Sequence, residues 1–476
     1  VILDPGEGSF RPGEEEYACQ TVKYGEKIAN IPELVGPDSS KSRYTSYYHN
    51  WYTDKEFTEK FIPETTPVES NLNLYAKWIY KKDYVELTAL ENGSVFTFTV
   101  GDGSNFDIEA SYDAVDWTSY GTSDFTSEPV SANEKVYIRV KPASAGDVTV
   151  NSLHINSTKM FNVAGDIMTL IDCTKDLTEL GGSKFTYLFG NYSGNGSPVV
   201  DASELILPAT TVTEGAYKNM FQNCKKLTDA PDLSSIEVVE NEGCSAMFDG
   251  CTLLKNVSAS LNATTVGYRG YATMFQDCLA LTAAPKIKAV TFVVHNGNVG
   301  QNCEAMFNRC SALVTVPSTL KAMTLPQECY KGMFQGCDLE TAPKILATTY
   351  GNSACAGMFM DCSSLINVPD LEATSLDTYA CWHMFDDCDS LRKAPFLPAT
   401  TLAARCYEEI FSSCDVLNEI KIAYDGELPA ASNATYEWVK YIPYSGTFYY
   451  NGSSTATTQI EFSGVPYGWT VQPFSD

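Results

Sequence analysis

Thiol chemistry is what this chain could do most of. Its sixteen cysteines could form disulfides, hold a metal or act as nucleophiles. Eight of them recur at one position: Cys224, Cys251, Cys278, Cys310, Cys337, Cys362, Cys388 and Cys414. Six more, Cys244, Cys303, Cys329, Cys355, Cys381 and Cys406, stand seven or eight residues upstream of one of these. Cys19 and Cys173 fall outside both sets. Thiolate metal sites use close pairs such as Cys-x-x-Cys, or histidine partners. The chain has no Cys-x-x-Cys, and no histidine in either column. Stacked in-register strands would hold equivalent Cβ atoms about 4.8 Å apart. A disulfide wants about 3.8 Å, with the side chains turned toward each other. The expectation is therefore reduced, buried thiols used for packing.

Other chemistry is equally thin. His49, His154, His295 and His383 are scattered, and His383 beside Met384 reads as a structural, part-buried residue. No zinc-protease helix, nucleophile elbow, phosphate loop or dinucleotide-binding glycine pattern is present. Acidic pairs such as Asp386-Asp387 are common in a chain of net charge −27 and need not converge. A glycosidase dyad would be visible only in three dimensions. The expectation is a protein that is not an enzyme and uses no cofactor or metal.

The elements that place the cysteines follow from a repeat. Met-Phe recurs at Met220, Met247, Met274, Met306, Met333, Met358 and Met384, with Cys three residues after each Phe; Ile410-Phe411 is a variant copy. The gaps run 27, 27, 32, 27, 25, 26 and 26 residues. Such a period marks stacked coils, none of which can bury its apolar face alone. Cys244, Met247, Phe248, Cys251 and Leu254 fall on one stripe at helical spacing, which predicts a helix of about two turns in each coil. Leu-x-x-Ala/Val-Pro follows, as in Leu227 to Pro231, and predicts a short strand ending at the proline. Ala-Thr-Thr plus an apolar residue, as in Ala263 to Val266, predicts a second extended segment.

These residues resemble the BspA-like leucine-rich repeats of bacterial surface proteins, over roughly residues 205–422. The resemblance implies an α/β solenoid over 173–424, closed by a C-terminal cap over 425–476. Residues 1–82 carry Trp51-Tyr52-Thr53-Asp54 and Leu74-Tyr75-Ala76-Lys77-Trp78, and resemble the Listeria–Bacteroides repeat, also seen as the internalin B-repeat. That implies a β-grasp-like module, in which Tyr75 and Trp78 read as core. Residues 83–172 alternate with period two, as in Val95 to Val100, and predict a β-sandwich-like module. Gly101 to Ser104 reads as a hairpin turn, because the further acidic ligands of a calcium loop are missing. The chain is thus expected to be multidomain and β-rich before its solenoid.

The acidic charge excludes nucleic acid as a natural partner. No apolar run approaches the length of a membrane span. The chain opens at Val1 inside an apparent strand, so a leader is expected to have been removed, and a lipid anchor could have gone with it. The resemblance implies an extracellular, bacterial cell-surface location and adhesion to host or neighbouring-cell proteins, by a monomer. The candidate ligand strip is the position before each Ala-Pro or Val-Pro: Asp229, Asn256, Ala283, Thr315, Thr341, Asn367, Lys393 and Glu419. Unconstrained surface is the plainer reading of the same variation. Two alternatives stay open: glycan capture, through Trp469 and the other aromatics of the tail or through the β-rich modules, and a spacer with no ligand.

Overall fold

In the computed structural model the described residues are all of 1–476 except 7–8, 11–17, 29–30, 32–33, 36–45, 56–59, 62–66, 81, 102–105, 143–151, 174–179, 181, 192–193, 296–299, 429, 453–462 and 474–476. The loop expected at Gly101 to Ser104 lies almost wholly outside them.

The N-terminal segment forms a mixed four-stranded sheet, in the order Ile2–Asp4, Asn73–Tyr80, Ser46–Tyr52, Lys60–Phe61. Its own small core gathers Leu3, Ile28, Trp51, Phe61, Val68, Leu74 and Ala76. Tyr75 is half-buried there, and the side chain of Trp78 lies outside the described residues. The next segment packs two sheets face to face. Six strands, ordered Thr118–Ser119, Phe106–Ser111, Lys135–Pro142, Val85–Ala89, Phe161–Asp166 and Val199–Ile206, face three, ordered Phe125–Thr126, Phe96–Val100 and Leu153–Ser157. The last strand of the larger sheet, Val199–Ile206, is already the entry to the solenoid, and one continuous core runs from Val85 to Trp469.

The solenoid corrects the helix expectation. Its Met-Phe segments are not helical. Among the described residues, α-helix is confined to the single turn Thr169–Asp172. Each coil instead carries a ribbon of overlapping tight turns. In the first, the amides of Ala216, Lys218, Met220, Gln222 and Cys224 close back three residues, at 3.0–3.2 Å. The alternate amides, on Tyr217, Asn219, Phe221 and Asn223, cross to carbonyls of Gly243, Ser245, Met247 and Asp249 in the next coil, at 2.8–2.9 Å. Half the donors are satisfied locally and half between coils, as buried backbone requires.

Every fourth residue of the ribbon has positive φ: Gly215, Asn219 and Asn223, then Glu242, Ala246 and Gly250, and so on through nine coils to Tyr441. Each sits third in its turn, where a type II turn needs positive φ. The residue before each repeat cysteine is therefore one that tolerates this conformation cheaply in most coils: Asn223, Gly250, Asp277, Gly336, Asp361 and Asp387. A helix lacks this demand and would leave coils unbonded to each other. The inward stripe itself is as expected, with Cys244, Met247, Phe248, Cys251 and Leu254 all fully buried.

Opposite the ribbon run two ladders of very short parallel strands. One uses the Ala-Thr-Thr segments: Thr211–Val212, Val238–Val239, Thr265–Val266 and Thr291–Phe292, then Thr324–Leu325, Thr349–Tyr350 and Ser375–Leu376. The other pairs Ser260–Leu261 with Lys286–Ile287, and Thr319–Leu320 with Lys344–Ile345. The expected cap prolongs the stack, since Glu419–Lys421, Thr447–Tyr449 and Thr470–Gln472 pair in parallel.

Candidate functional site

The repeated side chains are spent on the core. Nine phenylalanines, Phe189 to Phe411, form one stack with ring centroids 5.0–5.8 Å apart and planes within 12° of parallel. The thiols of the main cysteine column each donate to the phenylalanine carbonyl of the preceding coil: Cys224 to Phe189, Cys251 to Phe221, and so on to Cys414 and Phe385, at 2.9–3.3 Å. All fourteen repeat cysteines are buried and unpaired. Burial pushes the thiols of Cys310, Cys362 and Cys406 up to about 12, so they hold almost no thiolate for nucleophilic or metal chemistry. The second column is better described as an alternation three residues before each Met or Ile: Tyr217, Cys244, Tyr271, Cys303, Tyr330, Cys355, Cys381, Tyr407. Large and small side chains share the space. Where Cys355 and Cys381 follow each other, buried Tyr350 comes in beside both from the strand side.

His383 sits on the ribbon with positive φ. Its Nδ1 lies 2.6 Å from Asp386 and its Nε2 3.6 Å from Glu409. Each ring nitrogen faces a different carboxylate, and one ligand atom from each of the three residues lies within 4.8 Å of the others.

The eight strip residues pair between neighbouring coils. Parallel bridges join Asp229 to Asn256, Ala283 to Thr315, Thr341 to Asn367 and Lys393 to Glu419, and Asp201 extends the first pair at its start. All eight are partly or fully exposed, beside buried alanines such as Ala230, Ala342 and Ala394. Adjacent coils pair their strip side chains. Asn256 donates to Asp229 at 2.7 Å, Asn367 to Thr341 at 3.3 Å, and Lys393 pairs with Glu419 at 2.8 Å.

A groove of about 900 Å³ interrupts this face at Ala283, the smallest strip residue. Asn256 and Thr315 flank it in the neighbouring coils, and Lys27, Lys255, Lys286, Lys288 and Lys321 line it. In Lys286-Ile287-Lys288 the isoleucine is buried and both lysines are exposed, as strand alternation dictates. The strip reading missed these lysines because it took one position per coil, whereas the outward positions after the proline share the face. The signal was available: Lys-Ile-Lys and Leu-Lys follow Pro285 and Pro317, in an acidic chain. The start of the strip is acidic and covered. Tyr52 is buried beside Asp201, Glu204 and Asp229; burial first, then those carboxylates, hold its hydroxyl well above the ordinary range.

Trp438 and Trp469 are buried, donating to the Gly464 and Pro443 carbonyls at 2.9 and 2.7 Å. They close the core and offer sugar no platform, which removes Trp469 as a glycan-binding candidate. Tyr444 and Tyr467 remain exposed, edge to face at 5.9 Å.

The architecture is that of a repeat solenoid with a variable strand face. No known family's sequence model matches the chain, and no curated protein does. Among solved structures, a leucine-rich repeat protein from Bacteroides ovatus is similar, at 14% identity over 70% of this chain and 96% of that one. The TM-score of 0.18 lends no weight to a detailed structural equivalence. No helix among the described residues is long and apolar enough to cross a membrane.

Proposed function

We propose that this is a non-enzymatic binding protein of the bacterial cell surface, which holds protein ligands on the strand face of its solenoid. One observation carries the reading. The eight strip residues pair between neighbouring coils at partly or fully exposed positions and differ in size and charge, while the residues around them repeat. Stacked coils make such positions a long, graded surface, which suits recognition of an extended partner. The BspA-like resemblance of the Met-Phe-x-x-Cys repeats supports an adhesive role and an extracellular setting, with the Listeria–Bacteroides-like segment as part of the stalk. The chain acts as a monomer in this reading, held at the cell surface.

The test is a panel of host-matrix and cell-surface proteins against the soluble chain. Saturable binding that falls on charge reversal along the strip supports the reading; no binding anywhere on the panel sinks it. A second reading, glycan capture, rests on the exposed pair Tyr444 and Tyr467. A glycan array with Tyr444→Ala and Tyr467→Ala separates it from the first.

A further inference from the structure

We infer that the groove at Ala283 receives a short acidic segment of the protein partner; the inference rests on the strand face being the binding face. The charge distribution is the first argument. The chain carries 59 acidic residues against 32 basic ones. Yet the described lining of the groove contains five lysines and no Asp or Glu. Elsewhere on the same face lysines are matched across coils: Lys344 pairs with Glu372 and Lys393 with Glu419, each at 2.8 Å. Lys255, Lys286, Lys288 and Lys321 are exposed and belong to no ion pair among the described residues. Uncompensated like charges on adjacent coils disfavour the stack. An anion arriving from outside removes that cost.

The second argument is a break in the scaffold at the same place. The strand ladder through Lys286–Ile287 ends there, and the next begins at Thr319–Leu320; the Ala-Thr-Thr ladder likewise ends at Thr291–Phe292 and resumes at Thr324–Leu325. This is the coil whose Met-to-Met gap is 32 residues. The wider coil and the small Ala283 together open the floor.

The ligand class follows from the walls. The floor is Ala259, Ala283, Val257, Val316 and Ile287, with no aromatic ring among the described lining residues for a sugar to stack on. The basic stretch is also short. Asp229 and Asp232 precede it, and Asp370 and Glu372 follow. A long polyanion such as a nucleic acid or sulfated polysaccharide would run onto these carboxylates. A brief Glu/Asp run between small apolar residues matches both the charge and the length.

The experiment uses the full chain and a labelled peptide with a central glutamate run flanked by alanines, followed by fluorescence anisotropy. Its glutamine counterpart and a sulfated oligosaccharide of equal charge are the comparators. Saturable binding of the glutamate peptide alone is expected, weakening as salt shortens the screening length. Lys286→Glu with Lys288→Glu, both on exposed side chains, is expected to lower affinity at least about tenfold. Lys225→Glu with Lys226→Glu, on exposed lysines outside both the groove and the strip, is expected to change it less than about twofold. Tighter binding of the oligosaccharide, equal binding of the glutamine peptide, or indifference to the Lys286/Lys288 pair overturns the inference. If the groove variants bind the protein panel as wild type does, while Lys393→Glu weakens it, the groove assignment falls and the strand-face reading stands. If the wild-type chain binds nothing on the panel, both fall.

Discussion

The ribbon and the strand face are two sides of the same coils, yet one repeats its side chains and the other does not. On the ribbon, phenylalanine stacks on phenylalanine and each thiol meets the carbonyl below it. Side chains like these gain by meeting copies of themselves or of their own backbone. Charged side chains repel their copies a coil away. The strand face must therefore alternate, as Lys344–Glu372 and Lys393–Glu419 do, or leave a charge open, as it does at Lys286 and Lys288. Sequence regularity thus marks the structural side, and its failure marks the side free to evolve contacts.

The largest effect should come from interrupting the ring stack. Phe307 lies between Phe275 at 5.3 Å and Phe334 at 5.5 Å and is fully buried. Phe307→Ala should cost about 3–5 kcal/mol in urea unfolding. Lys393→Ala, on the exposed strip, should cost under about 1 kcal/mol. Comparable costs would erase the distinction between the two sides.

The thiol ladder comes next. Cys310 donates to the Phe275 carbonyl at 2.9 Å. Cys310→Ala deletes that bond and a buried sulfur, and about 1–2 kcal/mol is expected. Cys310→Ser keeps a donor and should recover part of it. Reactivity sharpens the same point. In native buffer a thiol reagent should label Cys19, which is exposed, and more slowly Cys173, whose thiol burial pushes up to about 11. The fourteen repeat thiols should wait for denaturant. Rapid native labelling of more than two sites would show that the ribbon is not a closed core.

How much of this was legible in the sequence divides along physical lines. The period and the buried stripe could both be read from Met-Phe-x-x-Cys and the prolines. The helix was wrong because spacing of three and four residues fits both a helix and a ribbon of alternating turns. The discriminating signal was the residue before each cysteine. Asn223, Gly250, Asp277, Gly336, Asp361 and Asp387 are residues that tolerate positive φ, and a helix interior does not favour them. The cap was read as a stop because its motif fades. Trp438 stands where the earlier coils have Met or Ile, so the fold continues while the pattern does not. The lysine groove escaped because it depends on neighbouring coils, a relation that one-dimensional alignment of repeats does not display.

The ribbon's turn geometry can be tested at Gly336, with φ +69°. A Cβ there would meet Arg309 at an ordinary 3.8 Å, so strain acts without a clash. Gly336→Ala should cost about 1 kcal/mol, and Gly336→Asn markedly less, because Asn occupies the equivalent position at Asn223. In a helix the order would reverse, with Ala the better residue. The ranking of the two variants by urea midpoint therefore decides between ribbon and helix directly.

The smallest effect is a pH dependence confined to the ribbon. Burial lowers the pKa of His383, but the hydrogen bond it donates to Asp386 and the charges of Glu409, Asp386 and Glu408 outweigh it, and the net shift is upward. A histidine with a raised folded-state pKa stabilises in its protonated form. That contribution is complete below the ordinary histidine value of about 6.5 and is lost as pH rises through the folded value. The nearby carboxyls of Asp387 and Glu409 are also held up, by burial first, then for Asp387 by Asp386. Raised carboxyls act with the opposite sense to paired ones, since their ionised forms are disfavoured, and they add to the loss of stability as pH rises through the acid range. Comparing urea midpoints of wild type and His383→Asn from about pH 6 to pH 9 isolates the histidine. Wild type should lose stability across that window, by under about 1 kcal/mol. His383→Asn, which keeps a residue tolerant of positive φ, should be flat. Charge reversal at Lys286 and Lys288, on the other side of the stack, should leave the slope unchanged. A slope that follows the lysines instead would mean that the two sides are electrostatically coupled through the core.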